Sequence, residues 1–129
     1  MEDDGFRRFP ADVSFFPTPL KRGTPLTTVH TLASGSSGNA LLLTCGSTHL
    51  LVDAGISARR IAQSLETLGL SFSDLSAVLI THEHTDHVAG LATLVKKCGV
   101  PIFASTATAD ALARQNGLLA PRLVAFAAG

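Results

Sequence analysis

Three histidines and an aspartate fall within six residues of the chain, between His82 and His87, one residue after the apolar run 77–80. If this segment is extended, side chains alternate in direction, so the imidazoles of His82 and His84 point to the same side. A helix is expected to begin near Asp86, which turns the side chains of Asp86 and His87 back toward the same point. Imidazole nitrogen and carboxylate oxygen are both zinc ligands. The segment therefore predicts a metal site, better suited to two adjacent ions than to one, where a buried strand meets a helix.

Other zinc patterns do not fit this chain. A His-Glu-x-x-His metalloprotease helix needs a histidine at position 86, where the chain has Asp86. Cys45 and Cys98 lie far apart and form no zinc-finger pair. His30 and His49 stand inside strand patterns, so neither is expected to be a ligand. An exposed polar loop is the alternative interpretation of the histidine segment, but so many metal-capable side chains at a strand end favour a metal site.

The composition describes a single domain without a strong electrostatic field. The chain has 129 residues, 46% of them hydrophobic and 16% charged, and its 10 basic and 10 acidic residues cancel. This length allows one domain with a real core, and the zero net charge excludes global steering toward nucleic acid or an anionic membrane. The sequence shows no targeting segment and no run of about 18 apolar residues, so no membrane association is expected. Two cysteines without a disulfide pattern indicate a reducing compartment, and we expect a cytoplasmic location.

The chain divides near residue 26. Four of its six prolines lie in residues 1–26, together with four phenylalanines, and proline prevents long helices and long paired strands. We therefore expect residues 1–26 to form a poorly ordered extension and residues 27–129 to form the folded domain.

Hydrophobic periodicity after residue 26 predicts an α/β fold. Short β-branched or apolar runs bounded by glycine or serine indicate strands, and apolar residues at helical spacing indicate helices. The predicted strands are 27–32, 40–45, 48–53, 77–80, 101–104 and 123–126, and the predicted helices are 57–68, 88–98 and 105–116. The first three strands suggest an antiparallel meander, and an alternation of strands and helices follows it.

Three motifs together resemble a known family. They are Leu-Ala-Ser-Gly-Ser-Ser-Gly-Asn at 32–39, Leu-Leu-Val-Asp-Ala-Gly at 50–55, and Ile-Thr-His-Glu-His-Thr-Asp-His-Val-Ala-Gly-Leu at 80–91. In this combination the chain is similar to the metallo-β-lactamase fold superfamily and, within it, to the YycJ/WalJ (VicX)-like branch of bacterial proteins. The resemblance implies the N-terminal half of an αββα sandwich.

The resemblance also implies roles for the matching residues. His82 and His84 would ligate one divalent metal ion, and Asp86 and His87 a second, with zinc or manganese as the metal. Asp86 would in addition hold or accept a proton during catalysis. Asp53 would lie beneath the metal loop and hold a ligating group in orientation, although a turn aspartate is the plainer interpretation of this residue.

The family's remaining ligands are a third histidine, a bridging aspartate and a final histidine further along the chain. Residues 88–129 contain no histidine. The resemblance therefore implies that this chain carries a partial domain with an incomplete two-metal site, and that it holds fewer than two ions or holds them weakly. It also implies an exposed apolar sheet face, through which self-association is possible.

The loop before the second predicted strand is the candidate for substrate contact. Ser36, Ser37, Gly38 and Asn39 could present N–H groups and side-chain donors to a phosphate, although a simple turn is the alternative. The family branch implies a metal-dependent hydrolase of phosphodiesters, of the DNA exonuclease type, with nucleic acid as its substrate. Two other functions stay open, namely an inactive interaction module that keeps half of the site and a thioester or lactone hydrolase of the same superfamily.

Overall fold

The computed structural model of the chain describes residues 7–8 and 27–127, and they form one mixed sheet with four helices. The strands are β1 (Arg7–Arg8), β2 (Thr27–Ala33), β3 (Ala40–Cys45), β4 (Thr48–Val52), β5 (Ala77–Leu79), β6 (Ile102–Ser105) and β7 (Leu123–Phe126). The helices are α1 (Ala58–Thr67), α2 (Thr85–Val88), α3 (Leu91–Lys97) and α4 (Thr106–Gln115), with short 3-10 turns at Phe72–Asp74 and Ala120–Arg122. The strand order is β1-β7-β6-β5-β4-β3-β2.

The predicted meander is present. Strands β2, β3 and β4 pair antiparallel, and the β3–β4 hairpin closes with Cys45 opposite Thr48. Two residues make this turn, and Gly46 takes a φ of 62°, as the two-residue turns that match strand twist require. The alternation of strands and helices after the meander is present as well, so the predicted α/β fold is confirmed.

The second half of the sheet is parallel, and its topology places the candidate site. Strands β4, β5, β6 and β7 follow one another across the sheet, each pair joined by helical segments. Val52 of β4 lies beside Leu79 of β5 in the register. The carboxyl ends of these two strands therefore lie at the same edge of the sheet. Asp53 follows β4 and the histidine segment follows β5, so the sheet brings them together at this edge. This edge is where open α/β sheets usually bind their ligands.

One face of the sheet carries the core. Strands β4 to β7 are parallel and follow one another across the sheet, and the helices that connect them share one apolar cluster with it. There the buried side chains of α1, α3 and α4 join alternate residues of the strands in one apolar cluster. Ile61 and Leu65 of α1 are fully buried at i and i+4, and they meet Leu51 and Val78 of the sheet in that cluster. Burying a side chain of this size contributes roughly 1.5–3 kcal/mol.

The opposite face of the sheet is apolar but less well covered. Leu41, Val52 and Leu79 lie side by side on this face and are half-buried. Val29 of β2 lies opposite Leu43 on the same face, and it is 56% exposed. These residues alternate with the core residues along each strand, as the two-residue period of a strand demands.

The structure differs from the sequence prediction in one helix. A single helix over 88–98 was expected, but α2 ends at Val88 and α3 begins at Leu91, so the prediction of a continuous helix is wrong. The cause is a contact with a distant loop. The Gly90 N–H donates to the carbonyl of Ala54 over 2.8 Å instead of continuing the helix, and the chain turns at this point.

The predicted extension at 1–26 lies outside the described residues, except for β1. The backbone of Arg7–Arg8 pairs in parallel with β7, opposite Val124 and Ala125. In the part of the chain that the structure describes, no helix has the length and apolar character needed to cross a bilayer.

Candidate metal centre

Three loops meet at the carboxyl ends of β4 and β5, and backbone hydrogen bonds join them. The Asn39 N–H donates to the Asp86 carbonyl, and the Gly55 N–H donates to the Asn39 carbonyl, both over 2.8 Å. The Ala54 N–H donates to the His87 carbonyl over 2.8 Å. The three motifs that are separate in the sequence are therefore one structural unit, built around the segment from Asp86 to His87.

Glycine permits this close approach. A β-carbon at Gly55 would collide with the Asp86 carbonyl, and one at Gly90 would collide with the carbonyl of Ile56. Gly38 has a φ of 149°, and a β-carbon there would lie 2.7 Å from the carbonyl oxygen of Gly55. Only glycine fits where the main chains pass so near to one another.

Asp53 is the buried anchor of the site. It is 6% exposed, and its φ of 65° is the left-handed conformation that aspartate tolerates better than most residues. Its Oδ1 accepts the Thr81 N–H over 2.8 Å, and its Oδ2 accepts the Thr81 hydroxyl over 2.7 Å. The same Oδ2 lies 2.7 Å from Nδ1 of His87. The carboxylate thus ties the end of β4 to both ends of the histidine segment.

The contact with Asp53 determines which nitrogen of His87 is free. A carboxylate only accepts hydrogen bonds, so Nδ1 of His87 carries the proton and Nε2 keeps its lone pair. That Nε2 lies 3.6 Å from Oδ2 of Asp86. Two atoms bound tetrahedrally to one zinc ion at its usual bond lengths are roughly 3.4 Å apart. The Asp86–His87 pair therefore has the donor chemistry and the spacing of two ligands on one ion.

The other two histidines complete a cluster of imidazoles. The ring centroids of His82 and His87 are 4.7 Å apart, and those of His82 and His84 are 6.0 Å apart and stacked. The donors suit a divalent ion by type, but in the described residues no three His, Cys, Asp or Glu side chains are already arranged to hold one. The fit to a metal therefore rests on donor type and on the Asp86–His87 spacing.

The two remaining histidines lie on strands outside the cluster. Nδ1 of His49, on β4, lies 2.9 Å from the hydroxyl of Thr44 on β3. His30 is exposed on β2. Glu83 is half-buried between the two exposed histidines His82 and His84.

The candidate substrate loop lies against Asp86. Ser36 and Ser37 are exposed at its tip. The Asn39 side chain closes the loop, because its Oδ1 accepts the Gly35 N–H over 3.2 Å and its Nδ2 donates to the Gly35 carbonyl over 3.0 Å. The same Nδ2 lies 3.4 Å from Oδ2 of Asp86. Asn39 therefore holds the loop to a predicted metal ligand, and phosphate binding by the loop stays a prediction.

Sequence reasoning did not single out Thr81, Gly55 or the side-chain contacts of Asn39. Thr81 lies between the predicted strand 77–80 and the histidine segment, and it belongs to neither. The only signal in the sequence is its position directly before His82. The close approach at Gly55 involves Asn39 and Asp86, which lie 16 and 31 positions away in the sequence, and no local pattern records it.

The parallel strands, the buried aspartate and the histidine cluster define a class of protein. The family model of the metallo-beta-lactamase superfamily matches residues 33–119, and the chain belongs to this superfamily. Membership implies divalent metal binding. The predicted family is confirmed, and so is the predicted partial coverage of its fold.

Among particular relatives, the chain is 44% identical over 81 residues to Exodeoxyribonuclease WalJ of Streptococcus pneumoniae serotype 2 (strain D39 / NCTC 7466), an alignment covering 63% of this chain and 30% of that protein. It is 41% identical over 81 residues to Exodeoxyribonuclease YycJ of Bacillus anthracis, with 63% of this chain and 31% of that protein covered. These matches support the predicted YycJ/WalJ-like branch. The chain thus aligns with less than a third of the length of each of these two relatives.

Among solved structures, a metallo-beta-lactamase with a HARLDQ motif from Cronobacter sakazakii (Enterobacter sakazakii) matches with a TM-score of 0.60 and 33% identity. This match covers 67% of this chain and 34% of that one.

Proposed function

We propose that the protein is a metal-dependent hydrolase that cleaves phosphodiester bonds in DNA. The observation that carries the proposal is the cluster of imidazole and carboxylate groups that Asp53 anchors where β4 and β5 end. Two relatives that align with 81 residues of this chain at 41–44% identity are named exodeoxyribonucleases. No feature of the described residues favours a thioester or lactone substrate over a phosphodiester.

We assign each candidate ligand to one of the two ions. His82 and His84 would hold one ion and Asp86 and His87 the other, with zinc or manganese as the metal. Bound divalent ions supply Lewis acidity and a water that loses its proton more readily than bulk water. Asp86 would in addition hold or accept a proton during hydrolysis, and its carboxylate lies in the cluster, with Oδ2 3.6 Å from His87 Nε2. Asp53 keeps His87 in the ligating tautomer.

Metal retention follows from the number of donors. The cluster has four candidate ligands, whereas a catalytic zinc usually takes three protein ligands of its own. We expect the chain to retain well below two ions after dialysis, and elemental analysis measures this directly. Two tightly retained ions per chain would contradict this account of the site.

The experiment that tests the function is a comparison of substrates with the purified protein. With added Mn²⁺ or Zn²⁺, we expect release of nucleotides from end-labelled linear DNA, and no comparable hydrolysis of a thioester or a lactone. His84→Ala should reduce the release to the level seen with a chelator, whereas His30→Ala, the matched control, should leave it unchanged. Hydrolysis of the thioester alone, or full nuclease activity in His84→Ala, would overturn the proposal.

Two further proposals concern the cellular location of the protein and its self-association. Both cysteines are free thiols, which supports a reducing compartment and hence the cytoplasm. The apolar sheet face that includes Val29, Leu41 and Leu79 supports self-association. An interaction module without catalysis would use the same face, and the nuclease experiment separates that function from the one proposed.

A further inference from the structure

The hydroxyl of Thr81 lies between the buried carboxylate and a second histidine of the cluster. Its Oγ1 is 2.7 Å from Oδ2 of Asp53 and 3.0 Å from Nδ1 of His82. It is also 3.4 Å from Nδ1 of His87, which has its own shorter contact with Asp53 at 2.7 Å. The hydroxyl is therefore the link between Asp53 and His82.

Counting protons fixes the direction of each hydrogen bond. A hydroxyl has one proton and a carboxylate has none, so Thr81 must donate to Asp53. Toward His82 the hydroxyl oxygen can then only accept. Nδ1 of His82 must carry the proton, and its Nε2 is left with the lone pair that a metal ion needs.

Thr81 is itself held firmly enough to act on its neighbour. Its main-chain N–H donates to Oδ1 of Asp53 over 2.8 Å while its hydroxyl donates to Oδ2. Its β-branched side chain also restricts χ1. His82, in contrast, is exposed, and the packing around it does little to fix the orientation of its ring.

We propose that Thr81 is a positioning residue that passes the orienting effect of Asp53 to His82. Asp53 acts on His87 directly and on His82 through the Thr81 hydroxyl, so one carboxylate sets the tautomer of a ligand for each of the two ions. This inference rests on the proposed role of His82 as a metal ligand, and the experiments below separate the two.

The first test needs no substitution and no metal. Long-range ¹⁵N–¹H correlation spectra of the metal-free chain at about pH 8, above the ordinary histidine pKa of ~6.5, report the tautomer of each ring. We expect His82 and His87 as the Nδ1–H tautomer. His82 found mainly as the Nε2–H tautomer would overturn the proposal.

The second test removes the hydroxyl and keeps the shape of the side chain. In Thr81→Val the His82 ring should lose its single tautomer, while His87 should keep Nδ1–H through its direct bond to Asp53. Zinc affinity, measured by competition with a chromophoric chelator, should fall by about 10–100-fold, which is typical when a group that orients a ligand is lost. A general disruption of the site would instead disturb both histidines.

Matched variants keep the result interpretable. Thr81→Ser retains the hydroxyl and should restore both the His82 tautomer and most of the zinc affinity. Thr93→Val removes a hydroxyl from an exposed position on α3 and should change neither. If Thr81→Val does not fold, Thr81→Ala, which removes the hydroxyl without placing a methyl group against the Asp53 carboxylate, takes its place.

The outcomes separate this inference from the proposed function. If His82→Ala weakens zinc binding but Thr81→Val does not, the positioning role is wrong and the metal site stands. If neither substitution changes zinc binding, His82 is not a ligand and both proposals fail. If both weaken it and Thr81→Ser restores it, both are supported.

Discussion

Among single residues, Asp53 joins the end of strand β4 to the histidine segment, through its contacts with Thr81 and His87. The family resemblance predicts an orienting aspartate at this position, but not the left-handed backbone or the two bonds from Thr81 that the structure shows. Those features depend on where β5 ends relative to β4, which is a property of the sheet. The sequence therefore predicts the residue, and the structure supplies the network of contacts that gives it a role.

Replacing Asp53 with asparagine tests that network at nearly constant shape. Asparagine tolerates the left-handed conformation, but its amide nitrogen would face donors on Thr81 or His87. We expect zinc affinity to fall by about 10–100-fold and the free energy of unfolding to fall by roughly 1–3 kcal/mol. Chelator competition and urea denaturation measure the two effects. Asp110→Asn, a half-buried carboxylate on α4, is the control, and equal effects at the two positions would contradict the special role of Asp53.

At the scale of elements, local patterns predicted most strands and helices because each has its own periodicity. Helix α1 was predicted from apolar residues at i and i+4, and Ile61 and Leu65 are indeed buried. The break between α2 and α3 was not predicted, because its cause is the bond from Gly90 to Ala54 in another loop. Only contacts between distant parts of the chain distinguish that break from a continuous helix.

The contact between two of the loops makes Gly55 the most sensitive glycine near the site. A methyl group there would collide with the carbonyl of Asp86 and force the loops apart. We expect Gly55→Ala to lower the free energy of unfolding by at least about 3 kcal/mol, at the upper end of the cost of overpacking. Thermal and urea unfolding provide the measurement.

Gly117→Ala is the matched control for this substitution. A β-carbon at Gly117 meets nothing within 4 Å, and its stability should change by less than about 1 kcal/mol. If Gly55→Ala were as stable as Gly117→Ala, the close packing of the three loops would be wrong.

At the scale of the whole molecule, the two faces of the sheet differ. One face is covered by the helices, while the other presents Val29 and the half-buried row that includes Leu41 and Val52. The wholly apolar run 77–80 predicts a strand that is covered on both faces, and the family resemblance predicts a sandwich. The sequence alone could not show which residues stay most exposed, since that depends on sheet register and on the helical crossovers.

Self-association through the sheet face that carries Val29 and Leu41 is testable by placing a charge on this face. Val29→Lys should weaken concentration-dependent association in sedimentation velocity, because a lysine on this face would be desolvated in the contact. Leu118→Lys is the control, since Leu118 is 58% exposed, similar to the 56% of Val29, and lies after α4. Equal effects of the two substitutions would show that this face is not the contact surface.

A zinc titration of the chain and two of its histidine variants tests the claim that the segment from His82 to His87 binds metal. If the segment from His82 to His87 is the metal site, His84→Ala should weaken zinc binding by at least about 10-fold. His30→Ala should bind as the unchanged chain does, because His30 lies on β2 outside the cluster. Zinc binding of equal strength in the unchanged chain and in His84→Ala would contradict the claim.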